Sequence, residues 1–60
     1  MKKLYQLGDQ VTFTKGGATL TGYIVNIYAV PKEFDLIDVI VDGVIYYGIK
    51  TDEVQSGVQE

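Results

Sequence analysis

Apolar and polar residues alternate early in the chain with the period of two that a half-buried β-strand requires. Val11 and Phe13 are apolar and the residues beside them are threonines, so this stretch is predicted to form a strand. Residues 15–17 are Lys-Gly-Gly. This triplet predicts a turn, because adjacent glycines adopt positive φ angles without a Cβ clash.

A longer run of β-favouring residues follows over residues 19–30, where Thr, Tyr, Ile and Val dominate. Gly22 lies inside this run, and a glycine within a strand often marks a bulge or a sharp bend. Beyond Gly22 the alternation fails, because Ile24, Val25 and Ile27 are all apolar. The pattern indicates either a bulge or a strand that is buried on both faces.

The second half of the chain predicts a tight hairpin. Pro31 ends the preceding strand, since proline lacks an amide donor. Two further β-rich runs, residues 34–41 and 44–49, flank an Asp-Gly pair at residues 42–43. An Asp-Gly pair between two such runs is among the strongest short-range hairpin signatures.

One short turn is predicted near the C-terminus. In residues 51–54, Thr51 or Asp52 is expected to cap backbone amides and Val54 to be buried. The chain has no sustained three–four spacing of apolar residues, so no α-helix is predicted. Four or five short, strongly bent antiparallel strands therefore imply a small all-β barrel or two orthogonally packed sheets.

The chain is expected to form a single domain. It has 60 residues, of which about 7–55 are predicted to form the core, 1–6 an N-terminal arm and 56–60 a frayed tail. No apolar stretch has the length of a signal-peptide core or the roughly 20 residues of a membrane span. A soluble, cytoplasmic protein is therefore expected.

The hairpin has more apolar surface than one core needs. A two-residue turn at 42–43, continued in register, pairs Ile37 with Gly48 and Leu36 with Ile49. Both faces are then apolar, whereas a hairpin with one solvated face alternates apolar and polar residues. One face holds Ile37, Val39, Val41, Val44 and Tyr46, and the other holds Leu36, Ile40, Ile45, Tyr47 and Ile49.

Two interpretations of the second apolar face stay open. A bulge, a longer loop, the N-terminal arm or the last strand covers it, or it is a surface for a partner or for self-association. Tyrosine suits such an interface, because its ring is apolar while its hydroxyl stays hydrated. The candidate partner-binding residues are Phe34, Ile40, Ile45, Tyr47 and Ile49.

Composition argues against catalysis. The chain has no cysteine, histidine or arginine and one serine, Ser56, so the common bases, thiolates and anion clamps are missing. No enzyme activity, metal or cofactor is expected. The net charge of −3 disfavours, without excluding, a dedicated nucleic-acid binder.

Three aspartates recur in the hairpin, at positions 35, 38 and 42. Their spacing lacks the glycine and closing glutamate of a calcium loop, so they are interpreted as charges that protect an edge strand. An acidic rim that mimics nucleic-acid phosphates is the alternative.

Several segments together resemble the SH3-like small β-barrels. They are Gly8-Asp9-x-Val11-x-Phe13, Gly22-x-Ile24-x-x-Ile27, Val39-x-Val41-Asp42-Gly43-x-x-Tyr46 and Asp52-Glu53-Val54. The first two are similar to the KOW motif of transcription and ribosomal proteins, and the last two are similar to Tudor-type and photosystem-accessory barrels. The resemblance implies an SH3-like barrel with one 3-10 turn, and it assigns no binding residue, because fold alone does not choose a function.

The expected function is that of a small non-enzymatic protein-interaction module, of the kind found as accessory or regulatory proteins in compact bacterial or phage genomes. Its partner is expected to be another protein or a second copy of the chain. Binding to a membrane is not expected. The alternative is a KOW-like nucleic-acid-binding domain that uses Lys15, Lys50 and Tyr23.

Overall fold

The computed structural model describes residues 4–30 and 33–57. They form one antiparallel sheet with the strand order β4-β3-β2-β1-β5. Within these ranges there is no α-helix, so the all-β prediction, the number of strands and the short turn near the C-terminus are confirmed. The elements are β1 (Gln10–Lys15), β2 (Ala18–Tyr28), β3 (Leu36–Val41), β4 (Val44–Lys50), a 3-10 turn (Thr51–Glu53) and β5 (Val54–Ser56).

The sheet curls around one apolar core. Phe13 on β1 contacts Tyr46 on β4 edge to face, with ring centroids 5.6 Å apart. Two strands separate β1 from β4 in the sheet order, which would place them about 14 Å apart in a flat sheet. The rings therefore meet because the sheet is strongly bent. The buried apolar residues are Val11, Phe13, Ile24, Ile37, Val39, Val41 and Val54.

Gly22 lies where the backbone of β2 is close to β3. A Cβ atom at this position would overlap the carbonyl oxygen of Ile40 and lie 2.7 Å from Cγ2 of Val41. The interior glycine thus marks a close approach of two backbones, as a glycine inside a strand often does.

The Asp-Gly hairpin forms as predicted. Asp42 and Gly43 have φ angles of 50° and 82°, the paired positive values of a two-residue hairpin turn. Val41 pairs with Val44, and Ile40 with Ile45.

Farther from the turn, the predicted register is wrong. Val39 pairs with Tyr46 but Ile37 pairs with Ile49, so Tyr47 and Gly48 both lie opposite Asp38. This β-bulge is accommodated by Gly48, whose φ of 66° is unfavourable for residues with a side chain.

The bulge also changes which side chains share a face. Leu36 pairs with Lys50 rather than with Ile49, and Ile49 packs against the core. One extra residue in a strand reverses the alternation beyond it, since side chains point to opposite faces in turn. The bulge therefore removes Ile49 from the second apolar face.

A second bulge lies on β2, opposite the same aspartate. Ile24 pairs with Val39 and Asn26 with Asp38, which leaves Val25 as the extra residue. The failure of alternation after Gly22 is thus explained by a bulge. Both neighbours of β3 are irregular at Asp38, and bulges increase the local bending of a sheet.

The 3-10 turn is attached to the start of β3. Thr51 is buried, its N–H donates to the Asp35 carbonyl at 2.9 Å, and its hydroxyl accepts the Asp35 N–H at 2.9 Å. The Thr51 side chain thus caps a backbone amide as predicted, but this amide belongs to Asp35 and not to the turn itself, which has no side-chain cap. Val54 is buried as predicted.

Both ends of the described chain contact the sheet. Tyr5, in the predicted N-terminal arm, packs against the core. Ser56 belongs to β5, and the Gly57 N–H donates to the Gln10 carbonyl at 2.8 Å. The rest of the predicted arm and tail, residues 1–3 and 58–60, lies outside the described residues.

Candidate protein-interaction surface

The convex side of the sheet carries a row of apolar side chains across three neighbouring strands. Tyr23 on β2 pairs with Ile40 on β3, and Ile40 pairs with Ile45 on β4. Directly opposed side chains of this kind lie about 4.5–5.5 Å apart at Cβ. Tyr23 is 52 % exposed and Ile45 is 39 % exposed, so the row faces solvent.

A second, less regular row of polar and aromatic residues runs beside the first. Asp38 pairs with Asn26, and Tyr28, which pairs with Leu36, contacts Asp38 through its hydroxyl. Tyr28 on β2 is 49 % exposed and Tyr47 on β4 is 73 % exposed. We use the name outer face for the side chains of both rows that a partner can contact. These are Tyr23, Tyr28, Ile40, Ile45 and Tyr47.

Asp38 is the buried polar centre of this surface. Only 1 % of the residue is exposed, although its side chain does not belong to the apolar core. Its Oδ2 accepts hydrogen bonds from the Tyr28 hydroxyl at 2.7 Å and from Asn26 Nδ2 at 3.2 Å. Its Oδ1 accepts the Gly48 N–H at 3.1 Å. One carboxylate therefore joins β2, β3 and β4 where both bulges interrupt the regular ladders.

These hydrogen bonds favour the ionised carboxylate. Burial by itself acts to raise the pKa of Asp38, but the bonds from Tyr28, Gly48 and Asn26 outweigh it and hold this pKa below its ordinary value of 3.8. The hydrogen bond to Asp38 also raises the pKa of Tyr28 above its ordinary value of 10.0. The Tyr28 hydroxyl therefore donates its hydrogen to Asp38, and this bond holds the Tyr28 ring in one orientation on the outer face.

Removing the Tyr28 hydroxyl is expected to raise the pKa of Asp38. In the native protein the folded pKa of Asp38 lies below its unfolded value, so this group stabilises the fold above the unfolded pKa. The stabilisation is lost as pH falls through the folded pKa. In Tyr28→Phe the folded pKa lies closer to the unfolded one, so the stability that Asp38 contributes should be smaller and its loss on acidification should be complete at a higher pH. Titration of the Asp38 carboxyl carbon by NMR, with denaturation curves measured at several pH values, tests this expectation.

The exposed Tyr47 provides the matched control for this titration. Tyr47→Phe removes a hydroxyl that makes no hydrogen bond to Asp38 in the described structure, so the Asp38 pKa should stay unchanged. An equal Asp38 pKa in the native protein and in Tyr28→Phe would contradict the role assigned to the hydroxyl.

The sequence-predicted partner residues separate into two groups. Ile40, Ile45 and Tyr47 share the outer face. Ile49 packs against the core, and Phe34 is half-buried with Lys50 Nζ 5.3 Å from its ring centroid. This distance is within the range of a cation–π interaction.

The residues of the nucleic-acid alternative lie in different surroundings. Tyr23 belongs to the outer face, and Lys50 lies over the ring of Phe34. Lys15 lines a depression of about 130 Å³ between β1, β4 and the 3-10 turn, and Glu53 lines it as well. Its full lining is Phe13, Thr14, Lys15, Tyr47, Gly48, Ile49 and Glu53.

Sequence reasoning missed the importance of Asp38 and Tyr28. The interpretation of the aspartates as edge protection is wrong for Asp38, because β3 lies inside the sheet and the carboxylate is buried. The one signal in the sequence was a charged residue inside the apolar run 36–41. That signal could not identify the hydrogen-bond donors of Asp38, because they come from two other strands.

Residues 4–30 and 33–57 contain neither a metal-ligand cluster nor a membrane-spanning helix. No cluster of three or more histidine, cysteine or acidic side chains there is arranged to hold a metal ion. Nor do these residues form a helix with the length and hydrophobicity that crossing a membrane requires.

Comparison with protein-family models, with curated proteins and with solved structures finds no match to this chain. The outer face and the hydrogen bonds that support it are the features of this chain that bear on its function.

Proposed function

We propose that this chain is a non-enzymatic protein-interaction module that binds another protein through its outer face. The observation that carries the proposal is the solvent-facing row Tyr23–Ile40–Ile45, which spans three adjacent strands and is extended by Tyr28 and Tyr47. Contiguous apolar surface of this kind is uncommon on a protein without a partner.

The chemistry of the outer face supports a protein as the ligand. Tyrosine is enriched at protein interfaces, because its ring buries apolar surface on binding while its hydroxyl forms hydrogen bonds. The bond to Asp38 orients the Tyr28 ring before a partner arrives, so less side-chain freedom is lost on binding.

We further propose that the scaffold is an SH3-like barrel. Three features support this: β5 lies beside β1, a 3-10 turn precedes β5, and the bend brings Phe13 to Tyr46. Families with such barrels bind proteins, peptides and nucleic acids, so the surface and not the fold determines the proposed ligand.

Charge favours a protein over a nucleic acid. The net charge is −3, and a phosphate backbone requires positive charge along its path. Lys50 lies against Phe34, and Lys15 shares a depression with Glu53. The two lysines form no continuous positive path, because Lys50 lies on the side of Tyr28, with Leu36 between them, whereas Lys15 lies in the depression that Tyr47 also lines.

Replacing Tyr23 with glutamate is expected to abolish partner binding without unfolding the chain. The side chain is half exposed, and a charge at the centre of an apolar interface lowers affinity by at least tenfold. The test is affinity capture by the tagged chain from a lysate of its source organism, with and without nuclease and at two salt concentrations. A protein captured by the native chain and lost with Tyr23→Glu is the expected result.

The matched control is Gln55→Glu, which makes the same charge change at an exposed position on β5. This variant should capture the same protein as the native chain. Equal loss with both variants, or recovery only of nucleic acid that salt removes, would contradict the proposal. The second result would favour the KOW-like alternative, because phosphate contacts weaken steeply with salt.

A further inference from the structure

The strand β4 is an exposed edge of the sheet that residues 4–30 and 33–57 form. It lies at one end of the sheet order, and among the described residues β3 is its hydrogen-bonded neighbour. The opposite edge, β5, has only three residues, whereas β4 has seven. Proteins usually protect an edge of this length with charged residues or proline, but residues 44–49 are Val-Ile-Tyr-Tyr-Gly-Ile.

The hairpin register determines which backbone groups point away from the sheet. Val44 pairs with Val41 across the two-residue turn, so its N–H and C=O point toward β3. The groups of alternate residues point the other way, which directs those of Ile45 and Tyr47 outward. The bulge begins after Tyr47 and limits the regular edge to residues 44–47.

We propose that β4 pairs antiparallel with β4 of a second copy of this chain, around a two-fold axis at Tyr46. In this register Ile45 of each copy lies opposite Tyr47 of the other, and both residues have outward-facing backbone groups. Their side chains also lie on the same side of the joined sheet. The pairing therefore satisfies edge hydrogen bonds and buries two exposed apolar side chains of each copy.

Charge at the ends of the strand favours the same arrangement. The turn residue Asp42 precedes β4 and Lys50 ends it, with no charge between them. Antiparallel two-fold pairing brings Asp42 of one copy toward Lys50 of the other, whereas parallel pairing brings like charges together. The strand is thus complementary to itself, as a two-fold interface requires.

The bulge makes this dimer weak. Three paired residues from each copy bury less than the roughly 1,200 Å² of a stable interface, so a dissociation constant on the order of 0.1 mM is expected. The dimer covers part of Ile45 and Tyr47 but leaves Tyr23, Tyr28 and Ile40 of each copy accessible, so it offers a partner two linked sites. It goes beyond the proposed function, and either can hold without the other.

Sedimentation equilibrium between roughly 10 µM and 1 mM tests the pairing. The native chain should change from a mass of 6.6 kDa toward twice that value. Tyr47→Glu, at a 73 % exposed position, should raise the dissociation constant at least tenfold. Tyr23→Glu makes the same change on β2, away from the edge, and should leave it within twofold. Circular dichroism checks that each variant stays folded.

A charge pair tests the register. In the proposed dimer, Ile45→Lys of each copy lies opposite Tyr47→Glu of the other. The double variant should therefore dimerise at least threefold more tightly than the two single variants predict by additivity. A monomeric native chain at 1 mM, a dimer insensitive to Tyr47→Glu, or an additive double variant would overturn the pairing. Failure of the proposed function would give a different result. Tyr23→Glu would then leave partner capture unchanged, while the native chain still formed the dimer.

Discussion

Gly22→Ala is expected to remove a large part of the stability of this fold. The added Cβ would overlap the Ile40 carbonyl oxygen and lie 2.7 Å from Val41 Cγ2. A backbone oxygen in a central strand cannot move aside without breaking the β2–β3 ladder. Overpacking of a well-packed interior costs about 1–3 kcal/mol and sometimes more. We expect at least about 3 kcal/mol here, against a total stability of roughly 3–9 kcal/mol for a chain of this length.

Gly57→Ala provides a matched control for this experiment. Its added Cβ would lie 2.7 Å from Cγ of the Gln10 side chain, and the nearest backbone atom, the Gln10 carbonyl carbon, would be 3.2 Å away. A flexible side chain can rotate away, so the loss should stay below about 1 kcal/mol. Urea denaturation of the native chain and both variants gives the comparison. Gly22→Ala as stable as Gly57→Ala would show that β2 and β3 are not held this close.

Asp38→Ala is expected to cost about 2–4 kcal/mol, because three donors on two neighbouring strands lose one buried acceptor. The Gly48 N–H lies in the bulge of β4 and donates to Asp38 Oδ1, while Asn26 and Tyr28 donate to Oδ2. The variant should also shift the amide resonance of Gly48, since its acceptor is removed. Partner binding should weaken as well, because the Tyr28 ring is no longer held on the outer face.

The control is Asp52→Ala, which removes an exposed carboxylate from the 3-10 turn. Surface substitutions of this kind stay within about 0.5 kcal/mol. Thermal denaturation and amide spectra of both variants separate the two sites. If Asp38→Ala proved as stable as Asp52→Ala and kept the Gly48 resonance, the carboxylate would not organise the two bulges.

Local patterns were sufficient to predict the elements of this fold. The alternation at Val11 and Phe13 predicted β1, and the Asp-Gly pair at 42–43 predicted the hairpin. Both depend on interactions between residues close in sequence: side-chain alternation along one strand and the backbone preferences of a two-residue turn. The loss of alternation after Gly22 likewise anticipated a bulge in β2.

The candidate site was only partly predictable. Ile40, Ile45 and Tyr47 were recognised as surplus apolar surface, and they share the outer face. Ile49 was assigned to that surface by extending the hairpin register past residue 47. The bulge that moves Ile49 to the core is stabilised by Gly48 and Asp38, and nothing in the alternation of β4 alone requires it.

The sequence by itself determined the all-β class, the positions of the strands and turns, and the excess of apolar residues in the hairpin. Tertiary structure decided the bulges at Asp38, the orientation of Tyr28 and the exposed edge of β4. The physical reason is the range of the interactions. Strands and turns follow from contacts within a few residues, whereas one buried carboxylate that joins three strands depends on groups up to 12 residues apart in the chain.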